Sequence, residues 1–154
     1  MRPLAIYLND HLAASTGGAR LARRARDAQA DERGRTLTRI ADEIEADKGE
    51  LERTMDLLGV RRDPLKQAAA VAAEQLGRLK PNGRLLRRSP LSSLVELEGL
   101  AIAVQGKRCL WRALQQLDDP RLAAVDLPRL VARAEDQHDR IEHERQRLAG
   151  AVLR

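Results

Sequence analysis

Three side chains able to bind a metal or exchange a proton, His11, Asp47 and His138, fall on the apolar stripes of three different predicted helices. Counted from a common end, His11 is about eight residues into the first helix. Asp47 is about twelve before the end of the second, and His138 about twelve into the last. At 1.5 Å per residue these heights agree within roughly one turn. Glu43 lies one turn from Asp47, and Glu135-x-x-His138 aims a carboxylate and an imidazole the same way from adjacent turns. Two imidazoles and two or three carboxylates around one axis form a ligand set suited to iron, manganese or zinc. The same groups, His11 or His138 against Asp47, also form a hydrogen-bonded layer that needs no metal and sets helix register at some cost in stability. The metal-free layer is the preferred reading.

The elements that would carry these residues show the helical period. The first runs over about 3–29, with Leu4, Leu8, His11, Ser15, Gly18, Ala22 and Ala25 inward and Pro3 in its first turn. The second, about 35–58, turns Leu37, Ile40, Ile44, Asp47, Leu51, Met55 and Leu58 inward and ends at Gly59. The third long helix, about 91–117, runs through Leu94, Leu97, Ala101, Val104, Trp111 and Leu114. The fourth, about 126–152, has Asp126 as N-cap and Pro128 in its first turn, then Leu130, Ala134, His138, Ile141 and Leu148. Ser15, Thr16, Gly17 and Gly18 interrupt the first with two glycines that cost roughly 1 kcal/mol each in a helix. Close approach to Gly99, Ala103 and Gly106 explains them best, a helix break being the other option.

Between the second and third helices lies a shorter alanine-rich helix, about 64–79, followed by the irregular KPNGRLLRRSP stretch. Its sixteen helical residues cover roughly 24 Å, most of the way back along a bundle, so helices two and three would run parallel. Residues 60–91 hold eight basic side chains against two acidic, a surplus of +6, while the whole chain carries +5. A patch of this kind suits an acidic protein, an anionic surface or nucleic-acid phosphates, with Lys80, Arg84, Arg87 and Arg88 as the expected polyanion contacts. It has no aromatic residue for base stacking and no recognition helix, so neither sequence-specific nor single-strand nucleic-acid binding is expected.

Composition agrees with a helical reading. The chain has 154 residues, 43% hydrophobic and 33% charged, with one Trp, one Tyr and no Phe, so the interior must be aliphatic. Arginine outnumbers lysine by 24 to 4, which reflects codon composition rather than guanidinium chemistry. Cys109 is the only cysteine; no internal disulfide is available, and a reducing, cytoplasmic setting is expected. The N-terminus has no signal-like core, and no window approaches the roughly 18 apolar residues of a membrane span. Trp111 and Tyr7 are expected in the core with their polar atoms partnered, and His143 at the surface. No nucleotide loop, nucleophile elbow or paired-cysteine site is present.

With four long helices, one crossover between the second and third, and Glu135-x-x-His138 on the last, the chain resembles the ferritin-like superfamily over nearly its whole length. That resemblance implies a di-iron or di-manganese carboxylate site in the core, serving iron oxidation, oxygen activation or peroxide removal. The family takes a Glu from each of two helices and Glu-x-x-His from each of the other two. Here the first helix offers His11 in place of Glu and the second has Glu43 and Asp47 without a histidine. On the third, Glu98 lies too high to join His11, and Gln105 and Arg108 are the polar residues nearest the right height.

The sequence thus predicts one all-α domain over 1–154: an up-down four-helix bundle with a long crossover containing an additional short helix. The function expected first is a non-catalytic partner-binding or scaffold protein with a buried His/Asp layer and a basic crossover. The second is a metal-binding oxidoreductase or storage protein using His11, Glu43, Asp47, Glu135 and His138 with iron, manganese or zinc. Homodimerisation is left open.

Overall fold

The computed structural model describes residues 3–27, 32–69 and 90–154. Among them there is no strand. Four long helices, α1 (Pro3–Asp27), α2 (Glu32–Leu57), α3 (Pro90–Leu114) and α4 (Leu127–Val152), are joined by a 3-10 turn at Pro120–Ala124 and a short helical stretch at 64–69. None of the described helices is long and apolar enough to cross a membrane. The remainder of the expected crossover helix, 70–79, and the irregular stretch to 89 lie outside the described residues, as do Lys80, Arg84, Arg87 and Arg88.

Helix ends follow local chemistry. α2 stops where Gly59 adopts φ +65°; its N–H donates to Asp56 O and the next N–H, Val60, to Met55 O, the paired bonds of a Schellman cap. The last turn of α3 tightens, with Gln116 bonding to Ala113 O and Leu117 to Leu114 O at i−3. The α-helix therefore ends at Leu114 rather than at the expected residue 117. Asp126 caps α4 by accepting from the Arg129 N–H at 3.1 Å, as its sequence position predicts.

Side-chain pairs fix the directions. Gly18 and Leu21 of α1 face Ala103 and Gly99 of α3 in reverse order. Glu50, Asp47 and Glu43 of α2 meet Arg129, Arg133 and Arg140 of α4, again in reverse. Arg112 and Glu98 of α3 meet Glu135 and Arg145 of α4. Each long helix is thus antiparallel to its packed neighbours, α1 lying against α2 and α3, and α4 against α3 and α2. α2 and α3 run the same way without packing along each other.

α1 continues unbroken through Ser15-Thr16-Gly17-Gly18. A Cβ on Gly99 would stand 3.2 Å from Leu21 Cδ2, tighter than ordinary contact, so α1 and α3 approach closely there and a larger residue would push the Leu21 side chain aside. At Gly18 the distance to Ala103 would be an ordinary 3.6 Å, and Gly17 and Gly106 face open space.

The interior consists of two apolar clusters. One contains Ala19, Ala22, Ile40, Ile44, Leu97, Leu100, Val104 and Ile141; the other Leu8, Leu12, Leu51, Met55, Leu110, Trp111 and Leu130. Where they meet, α2, α3 and α4 each turn a polar residue inward: Asp47, Lys107 and Gln137. Trp111 is buried as expected, but its Nε1 has no hydrogen-bond partner among the described residues.

Candidate functional site

The layer between the clusters starts from Asp47, which follows Ile40 and Ile44 on the inward row of α2 and is 1% exposed. An isolated carboxylate at that depth would be costly, and three donors surround it. Lys107 Nζ from α3 lies 2.5 Å from Asp47 Oδ2 and also donates to Gln137 Oε1. Gln137 Nε2 from α4 donates to the same Asp47 oxygen at 3.1 Å and to Glu43 Oε2 at 3.1 Å. Arg133 pairs with the other Asp47 oxygen. At the rim Arg140 closes on Glu43 at 2.5 Å and on Asp136 at 2.7 Å. Lys107, Arg133 and Arg140 balance Asp47, Glu43 and Asp136 in charge.

The environment moves these groups in predictable directions. Burial pulls the Lys107 ammonium below the ordinary lysine range, while Asp47 pulls it back. Burial pushes the Glu43 carboxyl up, but hydrogen bonds from Arg140 and Gln137 outweigh it and hold the group below its usual value. A cation is therefore already built into the layer, in covalent form.

The expected site residues divide. Glu43 and Asp47 are brought together, bridged by the Gln137 amide. Glu135 is taken by α3, 2.7 Å from Arg112 and 3.7 Å from Arg108. His138 is one third exposed, its Nδ1 3.7 Å from Asp139. His11 packs edge-on against Tyr7, ring centroids 4.5 Å apart at 70°. Burial lowers its pKa below the ordinary imidazole value, against the opposing pull of Asp10. Among the described residues no three of His, Cys, Asp and Glu form a group that could hold a metal ion. The buried polar layer exists, but Asp47 meets Lys107 and Gln137 in it, where His11 and His138 were expected.

Both missed residues had a signal. Lys107 is the inward position between Val104 and Trp111, and a basic residue there answers the charge of Asp47. Gln137 continues Leu130 and Ala134 toward Ile141 better than His138 does; a one-residue error rotates the chosen side chain by about 100°. His143 is exposed, as expected. Of the bases expected on the crossover, Arg62 pairs with Asp56 at 2.7 Å and Lys66 with Asp10 at 2.6 Å.

His11 and Lys107 also line a cleft of about 220 Å³ between α1 and α3, whose walls include Ser15, Gly18, Ala103 and Gly106. It is mainly apolar, and Ile102 stands at it with 73% of its surface exposed. On α3 the residues 99–106 carry no charge, and outward-facing Leu91, Val95, Ile102 and Cys109 share its solvent side with exposed Glu98 and Arg112. The corresponding face of α4 presents Arg129, Asp136, Asp139 and His143.

No family model, curated protein or solved structure matches the chain.

Proposed function

We propose that this chain is a non-catalytic scaffold, a four-helix bundle of ferritin-like topology that docks a partner on its α1–α3 face. The antiparallel neighbours, the parallel run of α2 and α3, and the connection leaving α2 along α1 support that topology. The ionizable groups of the interior support the absence of chemistry. Asp47 and Glu43 are held by Lys107, Arg133 and Arg140 and bridged by the Gln137 amide, so the carboxylates of the layer are committed to structural partners.

The observation that carries the reading is the outward side of α3. Charged residues cover the exposed sides of α2 and α4, whereas α3 offers a row of large apolar groups beside an open cleft. Contiguous exposed apolar surface rimmed by charge marks interaction sites. A photoreactive residue placed at position 102, and separately at His143 on α4, tests it in the cells that make the protein. Covalent capture from position 102 that is absent from position 143 supports docking on α3. Equal capture from both, or none from either, overturns it.

A further inference from the structure

Taking the α1–α3 face as a docking surface, we infer that its occupant is a second copy of this chain, with the two α3 helices antiparallel across a twofold axis at Ile102. The inference rests on the preceding reading and goes beyond it by naming the partner.

The arrangement of the exposed row is the first ground. Leu91, Val95, Ile102, Cys109 and Ala113 lie within about 40° of one another around the helix at 100° per residue. Val95 and Cys109 stand seven residues to either side of Ile102, and Leu91 and Ala113 eleven. A twofold axis at Ile102 sets each residue on one side against the residue at the same distance on the other, so at these positions the row meets its own copy apolar against apolar. Antiparallel pairing sets Val95 against Cys109 twice, Leu91 against Ala113 twice, and Ile102 against itself.

Shape agrees. The exposed Ile102 knob and the 220 Å³ cleft lie side by side on one patch, so a contact centred on Ile102 also covers the apolar cleft of each copy. Glu98, half-exposed, falls near Gly106 and Arg108 of the second copy. Arg108 has a buried Nε without a hydrogen-bond partner, and its guanidinium stands 3.7 Å from the Glu135 carboxylate. Glu98 and Arg108 each hold a partner in their own chain, Arg145 at 3.5 Å and Glu135 at 3.7 Å, so they accommodate the contact and the apolar row drives it.

The area is sufficient. From Leu91 to Ala113 the helix rises roughly 33 Å, and a band about 10 Å wide gives about 330 Å² per copy. The adjoining strip of α1 with Ala14 and Gly17 roughly doubles that, for about 1,300 Å² over both copies, at the lower end of stable interfaces.

Light scattering on the purified full chain reads the state directly. The wild type is expected at the mass of two chains, and Ile102→Arg at the mass of one with its helical circular dichroism retained. Val95→Cys tests the register without a charge in the interface. Positions 95 and 109 are roughly 21 Å apart along one helix, so an oxidised bond between them must join two chains. A covalent dimer that disappears when Cys109→Ser is added supports the pairing, and so does halving of the mass in Ile102→Arg. A wild type of single-chain mass at every concentration, or a Val95→Cys protein that stays uncrosslinked, overturns it. If the free chain is single while position 102 captures a different protein, docking on α3 stands and self-pairing falls.

Discussion

Lys107 and Asp47 belong to two helices that do not pack along each other, yet their charged ends meet 2.5 Å apart at the centre of the fold. α2 and α3 are diagonal, and this pair links them by a direct polar contact across the core. Removing Asp47 leaves the buried ammonium with the Gln137 oxygen as its hydrogen-bond partner among the described residues and Glu43 as a more distant counter-charge. Asp47→Ala is expected to cost about 3–5 kcal/mol. Asp47→Leu combined with Lys107→Met should cost clearly less than the single change, since it removes the stranded charge along with its partner. Urea midpoints check this; a single variant within about 1 kcal/mol of wild type would show that the pair contributes little.

Acid sensitivity should trace to Glu43. Its folded-state pKa lies below the ordinary 4.5, so its contribution is present above that value and is lost as pH falls through the folded one. Stability should hold near neutral pH and decline on the acid side, and Glu43→Gln should flatten part of that decline. An acid limb of unchanged slope in the variant contradicts the assignment.

Asn9 secures the start of the crossover. Its side-chain amide donates to Arg61 O at 3.0 Å and its Oδ1 accepts the Asp63 N–H at 2.7 Å, while Asp63 caps the stretch at 64–69. Asn9→Ala should cost about 1–3 kcal/mol by orphaning these backbone groups. Limited proteolysis should then cut faster between residues 60 and 69. Gly59→Ala, at positive φ but in open space, should cost about 1 kcal/mol through backbone strain alone.

Metal should be dispensable. With Asp47 and Glu43 occupied by Lys107, Arg133 and Arg140, iron, manganese or zinc should leave the thermal midpoint unchanged, as should a chelator. A rise with any of the three, abolished by His138→Ala, would restore the metal-binding reading.

The basic surplus of the crossover leads to a separate expectation. Retention on heparin should fall when Arg84, Arg87 and Arg88 become Ser, and should fall for wild type as salt rises. Unchanged retention would show that those residues are only a solvated face.

Much of the helical layout was legible because the spacing of Leu, Ile, Val and Ala declares a buried side whatever the neighbours are. Pro3, Gly59 and Asp126 marked boundaries for reasons confined to a few residues. Asp47 was legible as a charge on an apolar row. Its partners were not, because inward rows on α3 and α4 are wide enough for adjacent residues to compete. Arg108 and His138 drew notice for their chemistry, while Lys107 and Gln137 held the inner positions. The outward row on α3 was hidden for the opposite reason: its apolar residues read as packing until the neighbouring helices show which side is already filled.

Trp111 lies entirely within one of the two apolar clusters, and it is the chain's only tryptophan. Its fluorescence therefore watches that half of the interior and is blind to the other, whereas circular dichroism averages both. Coincident melting by the two signals would mean that the charged belt transmits cooperativity between the halves; separated transitions would identify it as the plane along which the protein comes apart.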